Sequence, residues 1–414
     1  MSASPSTPPQ ATAPDQISVA TRLGWVSFFN DCSSEVIARA MPLLLTSGLG
    51  MSPTFVGAIE GGAEAISILL KGFSGWISDR MPSRKPLVVL GYSLAVLSRV
   101  FLLAAHLPIW FGLARILDRT GKGLRSAPRD AMIADGAASG MSGKAFGITR
   151  FLDALGAITG ITVILAMGLG DGPVTEVSFR RLVLAAVPFG VLSVLFLIVA
   201  VPRITRVTKT KATLSWHVPV EVRGYLAAVG VFALGNSSDA FLVLKAHELG
   251  FSFRAILLMM LCFNALAAAL AVPVGKLTDK IGRISVLAFG WLVYAAVYAL
   301  FASVQSMPAF ALALFVYGAF YGFTEGTEKA LLADILPVEK RGTGFGSLQL
   351  VLGLAALPAS VITGWLMTTY GSRLAFNVAA GFAGIGALWL LLWWRASGRR
   401  QILNARAYPA AADP

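Results

Sequence analysis

The sequence predicts an all-α membrane protein, with about 12 transmembrane helices in two six-helix pseudo-symmetric halves around a central cavity. Three observations predict it. Of the 414 residues 56% are hydrophobic and 13% charged, with a mean hydropathy of +0.73, whereas an ordinary soluble domain carries roughly 25% charged residues. Apolar stretches of about 20 residues, each enough to cross a hydrocarbon core roughly 30 Å thick, recur along nearly the whole chain. PLVVLGYSLAVLSRVFLLAA from Pro86 and LAFNVAAGFAGIGALWLLLWW from Leu374 are examples. Finally, sliding the first half by about 200 residues brings it into register with the second, the signature of an internal repeat.

In chain order, residues 1–18 are rich in Pro, Ser and Ala, with no basic segment leading into an apolar one. They read as a disordered cytoplasmic tail, not a cleaved signal. The first six-helix half is expected over 19–201, a basic cytoplasmic linker over 202–220, the second half over 221–396 and a second cytoplasmic tail over 397–414. Cys32 and Cys262 fall within apolar segments, so the sequence suggests no disulfide framework and no metal-thiolate site. The net charge of +13 does not indicate nucleic acid, because the basic residues sit between particular spans. Arg80, Arg84 and Lys85 follow span 2, Lys280 and Arg283 follow span 8, and Arg395, Arg399 and Arg400 end the chain, whereas the odd-numbered junctions hold mainly Arg254 and Arg373. The positive-inside rule then places both termini in the cytoplasm.

Span 1 contains FFNDCSSEVIARAMP, with Asp31, Glu35 and Arg39 spaced by four on one stripe. Span 2 contains AIEGGAEAISILLKGFSG, with Glu60, Glu64 and Lys71 on one stripe beside Ser67 and Gly75. Span 1 runs outward and span 2 inward, so Arg39 is expected at the depth of Glu60 or Glu64, and an intrahelical or span 1 to span 2 ion pair is the plainer reading of those three, beside a functional one. Asp31 and Glu35 have less obvious partners. Desolvation raises a carboxylate's pKa toward neutrality, which is what a proton-coupling site needs. Asp31, Glu35, Glu60, Glu64 and, from the second half, Asp239 are therefore the proton-coupling candidates.

Span 4 carries the densest charge, RTGKGLRSAPRDAMIAD from Arg119. At 100° per residue, Arg115, Asp118, Arg119, Lys122, Arg125, Arg129 and Asp130 fall within an arc of roughly 140°, opposite Leu113, Ile116, Leu117, Leu124 and Met132. A charge at mid-bilayer costs about 2.5–3.5 kcal/mol, so this face must line a water-filled cavity or meet partner charges. Snorkelling of interfacial side chains accounts for part of the stripe in the plainer reading. Arg115, Arg119, Lys122 and Arg125, with Arg150 and Asp153 from span 5, are the substrate-binding candidates.

The repeat is explicit in two places. GWISDRMPSRKP at Gly75 aligns with GKLTDKIGRISV at Gly275, pairing Asp79 with Asp279 and Arg80 with Lys280; GLRSAPRDAMIAD at Gly123 aligns without a gap with GFTEGTEKALLAD at Gly322. In that register Arg129 matches Glu328, Asp130 matches Lys329 and Asp135 matches Asp334. Opposite charges at equivalent positions suggest a cytoplasmic gate of Arg129, Asp130, Glu325, Glu328 and Lys329, against the alternative that each residue pairs within its own half. NSSDAF places Asp239 where SSEVI has Glu35, and Asn264 aligns with Glu64, so the second wall is poorer in charge and richer in aromatics such as Tyr317 and Tyr321.

On these residues the chain resembles the major facilitator superfamily, over essentially everything after the tail. Gly75, Asp79, Arg80, Arg84 and Lys85 sit where that superfamily's loop signature between spans 2 and 3 has its glycine, aspartate and basic residues; Gly275, Asp279, Lys280, Gly282 and Arg283 repeat it. The first copy departs by having Pro82-Ser83 where Gly-Arg is usual. The resemblance implies a carrier whose halves rock around a cavity lined by spans 1, 4, 7 and 10. It also implies that Asp135 pairs with Arg80 or Arg84, and Asp334 with Arg283. More narrowly, Gly147, Gly156 and Gly160 resemble the span-5 motif of proton-coupled exporters, although Ile161 replaces its proline and its closing glycine pair is missing. Small residues for close helix packing are the alternative.

Together these readings predict a secondary active transporter, a proton-coupled exporter (antiporter) of a small polar or charged solute. The runner-up is proton-coupled uptake of a small anion through Lys122 and Arg125. Divalent-metal efflux through Asp31, Glu35 and Glu64 ranks last, because the chain has only 3 His. No nucleophile–base pair suggests an enzyme and no residues suggest a cofactor. The expected partners are a small-molecule substrate, protons and the lipid bilayer, with no nucleic acid. The expected form is a monomer in the plasma membrane, the inner membrane if the cell is Gram-negative.

Overall fold

The apolar runs fold as helices whose ends are set by caps and turn residues. The computed structural model describes residues 13–135, 142–203, 222–335 and 341–396. Spans 1–6 are α1 (Ala13–Leu43, continued by a π-helical turn Leu44–Gly48), α2 (Pro53–Arg80), α3 (Lys85–Ala104), α4 (Pro108–Asp135), α5 (Ser142–Ala166) and α6 (Glu176–Ala200). Span 7 is broken into α7 (Arg223–Gly235) and α8 (Ala240–Glu248). Spans 8–12 are α9 (Phe253–Ile281), α10 (Arg283–Ser303), α11 (Met307–Ile335), α12 (Arg341–Tyr370) and α13 (Ser372–Ala396). Among the described residues 9 helical segments are long and apolar enough to cross a membrane, with α7 and α8 taken together. Helices α1, α4 and α9 are not among them: α1 and α4 carry the charged stripes, and α9 counts only as a shorter apolar helix over Phe253–Ala267.

The two ends of the bundle are fixed by specific bonds. At the end where α1 begins, Arg22 Nη1 donates to the carbonyl of Ala200 at 2.9 Å, and Lys85 Nζ donates to those of Ile198 and Val201 at 2.7 and 2.5 Å. Gly224, at the start of α7, lies against Trp393 near the end of α13, so both described chain ends share this terminal face. The opposite face carries the connections between odd and even spans, where Arg254 and Asp171 pair at 3.1 Å.

The internal repeat reaches further than the charged landmarks. Gly50 and Gly250 both have positive φ, 68° and 87°, and two residues later Ser52 and Ser252 cap α2 and α9 by accepting from the N–H groups of Phe55 and Ala255. Only a residue without Cβ takes this backbone cheaply, and serine at the N-cap satisfies a free helix donor. Gly282 likewise joins α9 to α10 at φ 90°. Pro82 stands at the equivalent place in the first half, and the pyrrolidine ring forbids that conformation. There the connection takes the four residues 81–84, closed by an Arg84–Asp79 ion pair at 2.6 Å.

Glycines set how closely helices approach. A Cβ on Gly156 or Gly160 would lie 2.5 Å from the carbonyl oxygens of Phe28 and Cys32, so the backbones of α1 and α5 touch. Gly91 and Gly121 do the same for α3 and α4, while Gly57 and Gly61 of α2 meet Ser360 and Ala356 of α12 across the two halves. The halves also meet where α5 packs on α9 and α1 on α8. Gly160→Ala is expected to lower stability by about 1–3 kcal/mol through overpacking. Gly381→Ala, with nothing within 4 Å of its Cβ, should be neutral or slightly stabilising by helix propensity. Thermal unfolding in detergent measures both; equal melting temperatures would show that α1 and α5 separate freely.

Candidate functional site

The charged stripe of α4 turns inward while Leu113, on its other side, is exposed where lipid would lie. Reading from the opposite face toward the terminal face, the first contact is a bidentate pair. Arg115 donates from Nε and Nη2 to the two carboxylate oxygens of Glu60, both at 2.8 Å, with side chains only 8% and 6% exposed. Arg115 Nη1 also lies 3.8 Å from Asp118, whose other oxygen is 3.9 Å from Arg99 Nη2. Arg99 donates to Asn30 Oδ1 at 3.1 Å, and Asn30 Nδ2 donates to Asp31 at 3.0 Å. One turn further along α4, Arg119 pairs with Glu64 at 3.5 Å.

Lys122 is exposed and its ammonium makes no hydrogen bond or ion pair with the described residues, although its carbonyl accepts from Ser126 Oγ at 2.7 Å. Arg125 is buried, its guanidinium 4.5 Å from the centre of the Tyr92 ring, and its Nη1 has no hydrogen-bond partner. A cation over an aromatic face gains about 0.5–2 kcal/mol, but an unbonded buried donor loses about as much. Nearest the terminal face, Arg129 donates to Ser27 Oγ at 2.5 Å and pairs with Asp130 at 3.2 Å and Asp153 at 3.8 Å.

The second half contributes one charge at the break in span 7. The helix stops at Gly235, whose carbonyl accepts from Tyr294 Oη at 2.8 Å, and resumes after Asp239. Asp239 accepts from Tyr317 at 3.2 Å and Tyr321 at 3.4 Å, and lies 3.9 Å from Arg39 Nη1. Tyr317 and Tyr321 belong to an aromatic cluster with Phe263, Tyr294, Tyr298 and Phe320. One wall of the site is therefore ionic and the other aromatic.

Several expectations change on this geometry. Arg39 does not pair with Glu60 or Glu64, because Arg115 and Arg119 take both acids; it pairs with Glu35 at 3.5 Å and reaches Asp239 in the other half. Glu35 thus has a partner. Arg129 and Asp130 bond within their own half in this conformation, while Glu328 is half-buried near Tyr225. Arg80 rests on Trp76 at 3.6 Å and Arg150 is exposed. The expectations placed on Glu325, Lys329, Asp135, Gly275, Asp279, Lys280 and Asp334, and with them a pairing of Arg283, rest on side chains that lie outside the described residues. Gly156 and Gly160 are explained by contact with α1, which is the packing alternative for that motif.

Sequence reading missed Arg99, buried in α3 against Asn30 and Asp118, as well as Ser27 and Tyr92 beneath Arg125 and Arg129. A lone arginine in the apolar run VLSRVF was a readable signal, since an ionisable residue inside a span is functional by default. A cavity of about 510 Å3 also opens at the opposite face among Ser47, Val174, His247 and Phe253. It is remote from the α4 stripe.

The Major Facilitator Superfamily model matches residues 23–238 and 224–412. An uncharacterized MFS-type transporter of Methanocaldococcus jannaschii is 35% identical over 370 residues, covering 85% of this chain and 91% of the relative. Among solved structures, the D-xylose-proton symporter is similar with a TM-score of 0.72 at 19% identity, covering 92% of this chain and 97% of that one. The nucleoside transporter NupG is similar with a TM-score of 0.72 at 14% identity, covering 91% and 99%. These likenesses concern the fold. Twelve spans in two repeated halves, an interior charged stripe and a family match along the chain give one conclusion: the protein belongs to the Major Facilitator Superfamily and is a multi-pass membrane transporter.

Proposed function

We propose that this chain is a proton-coupled secondary carrier of a small polar or charged solute, working by alternating access with both termini in the cytoplasm, as a monomer in the plasma membrane. The observation that carries this reading is the charge remainder around α4. Among the described residues Asp31 has no cation within 4.0 Å, and Lys122 and Arg125 have no carboxylate within that distance. An acid beside two bases, none of them locked in a close ion pair, in an interior where charge is expensive, suits a site that exchanges a proton and a charged solute.

Both ion pairs that bridge the halves among the described residues, Arg39–Asp239 and Arg254–Asp171, lie away from the terminal face. Those two pairs support a conformation closed on the opposite side. The pairs proposed for the cytoplasmic gate, Arg129–Glu328 and Asp130–Lys329, would form in the alternate state, with Glu325 beside them. A differential contact of this kind sets a two-state equilibrium.

Export rests on the spacing of Gly147, Gly156 and Gly160, two of which are accounted for by packing. The second reading, uptake of a small anion, is favoured by the unpaired Lys122 and Arg125. Metal efflux finds no cluster of three His, Cys, Asp or Glu side chains among the described residues.

The test is proteoliposomes containing a pH-sensitive dye, challenged with a panel of anionic, zwitterionic and cationic solutes. Asp31→Asn is expected to abolish solute-driven proton movement while solute exchange persists. Wild-type proton movement in that variant would remove Asp31 from the coupling site, and no proton movement with any solute in the wild type would remove proton coupling itself.

A further inference from the structure

Ion pairing along the interior of the first half leaves a remainder of one acid and two bases. Glu60, Glu64, Asp118, Asp130 and Asp153 each have an arginine within 4.0 Å, and Glu35 and Asp239 share Arg39. Asp31, Lys122 and Arg125 are what remains. They are not independent, because Arg125 lies within electrostatic reach of Asp31 and Lys122 is three residues before Arg125 on α4.

The surroundings of Asp31 make Arg125 its available counter-charge. Along α1 it faces Glu35, and from α5 Asp153, both of which repel its ionised form. Arg99 of α3 is near, and its Nη1 is also buried without a hydrogen-bond partner, but its charge is already shared with Asp118 and its Nη2 donates to Asn30, whereas Arg125 has no carboxylate within 4.0 Å among the described residues. Asp239 of span 7 is held by Arg39. From α6, the contacts to α1 near this level are the Ala186 carbonyl and Gly190, neither charged. Arg125 in turn has a buried Nη1 with no acceptor, and a buried donor left unbonded is costly. When Asp31 takes a proton, Arg125 loses its only uncommitted neighbouring charge. Arg125 and the exposed Lys122 then form a pair of cations with open hydrogen-bonding capacity.

We infer that Asp31 and an anionic group of the solute are rivals for Arg125, so that the carrier binds a small oxyanion and a proton together and moves them in the same direction. This rests on the proton-coupled reading above and names the solute's charge and the sign of coupling. If protonation removes a rival of the anion, it raises anion affinity, and by reciprocity the anion raises proton affinity by the same factor. A cationic solute at the same site would instead compete with the proton for Asp31, giving exchange. The sign of the solute thus decides between symport and antiport.

The full chain in lipid nanodiscs, titrated calorimetrically with lactate, succinate and inorganic phosphate, tests this directly and separates carboxylate from phosphate. At least one of the three is expected to bind, at least about fivefold tighter near pH 5.5 than near pH 8, within the usual range of site coupling. Asp31→Asn should keep only the pH dependence of the anion's own ionisation, which for lactate is none in this range, at the wild-type acid affinity, and Lys122→Gln should weaken binding tenfold or more, as expected for a charge-assisted contact. Should Asp31→Asn unfold, Arg125→Lys supplies the second arm, with a weakened affinity whose pH dependence persists. Absence of binding by all three anions, tighter binding at the higher pH, or an unchanged pH dependence in Asp31→Asn would each overturn the inference. In the proteoliposome panel, proton counterflow driven only by a cationic solute would overturn it while leaving a proton-coupled carrier standing, whereas no solute-driven proton flow at all would remove both.

Discussion

Arg115→Met is expected to destabilise the protein by about 3–5 kcal/mol, because it strands the Glu60 carboxylate in the interior without its partner. The pair is the most completely enclosed on α4, with two 2.8 Å bonds and side chains under a tenth exposed. Removing one ion leaves the other with its full desolvation cost and nothing to offset it. Glu60→Met alone should do the same to Arg115, although Asp118 at 3.8 Å retains part of the compensation there, so its cost should be smaller. The double variant Glu60→Met/Arg115→Met should recover most of the loss, since replacing a buried pair by apolar residues is often neutral or stabilising. Unfolding in detergent followed by tryptophan fluorescence measures all three. If Arg115→Met melts like the wild type but loses solute binding, Arg115 is a substrate ligand, as its place on the stripe suggests, and not a strut between α2 and α4.

Reversing the charge of Arg39 is expected to displace the conformational equilibrium further than any other single change in the site. Arg39 is held by Glu35 in its own helix and reaches Asp239 across the halves, at the break of span 7. With Arg39→Asp, three carboxylates face one another, and repulsion replaces the contact proposed to close this side. A loss of about 3 kcal/mol in the closed state changes the ratio of states by more than a hundredfold. Cysteines placed at Met41 and Leu244, which are buried on the opposite-face side of Arg39 and Asp239, should then label faster with a membrane-impermeant reagent. The exchange Arg39→Asp/Asp239→Arg restores attraction and should return labelling toward the wild-type rate, with a coupling energy of about 0.5–3 kcal/mol between the sites. Additive effects of the two single changes would show that Glu35 alone holds Arg39, and that Tyr317 and Tyr321 satisfy Asp239 without it.

The legible part of this protein was its periodicity. Span length, the placement of basic residues and the 200-residue register depend on one dimension only, so they survive in the sequence whatever the helices later touch. The inward turn of the α4 charges was legible for the same reason: lipid tolerates no such face, and the 3.6-residue repeat says which residues share it. What periodicity cannot supply is the partner. Depth alone matches Arg39 with Glu60 or Glu64, but depth does not decide which helix lies alongside; packing brings α4 against α2 and delivers Arg115 and Arg119 to those acids.

Arg99 shows the limit from the other side. Nothing adjacent in sequence pairs with it, and its role exists only because α3 packs on α4 through Gly91 and Gly121, bringing Asp118 and Asn30 to its guanidinium. The glycines of α5 had two readings in the sequence, transport motif or helix contact, and the 2.5 Å approach to α1 supplies the contact. The charge remainder at Asp31, Lys122 and Arg125 is likewise a tertiary property. Sequence determined how many spans the chain has, which faces are wet and that the halves repeat, because those follow from hydropathy and helix geometry. Only the tertiary structure decided which charges cancel, because Coulomb energy between buried groups depends on separations of a few ångströms that no linear spacing fixes.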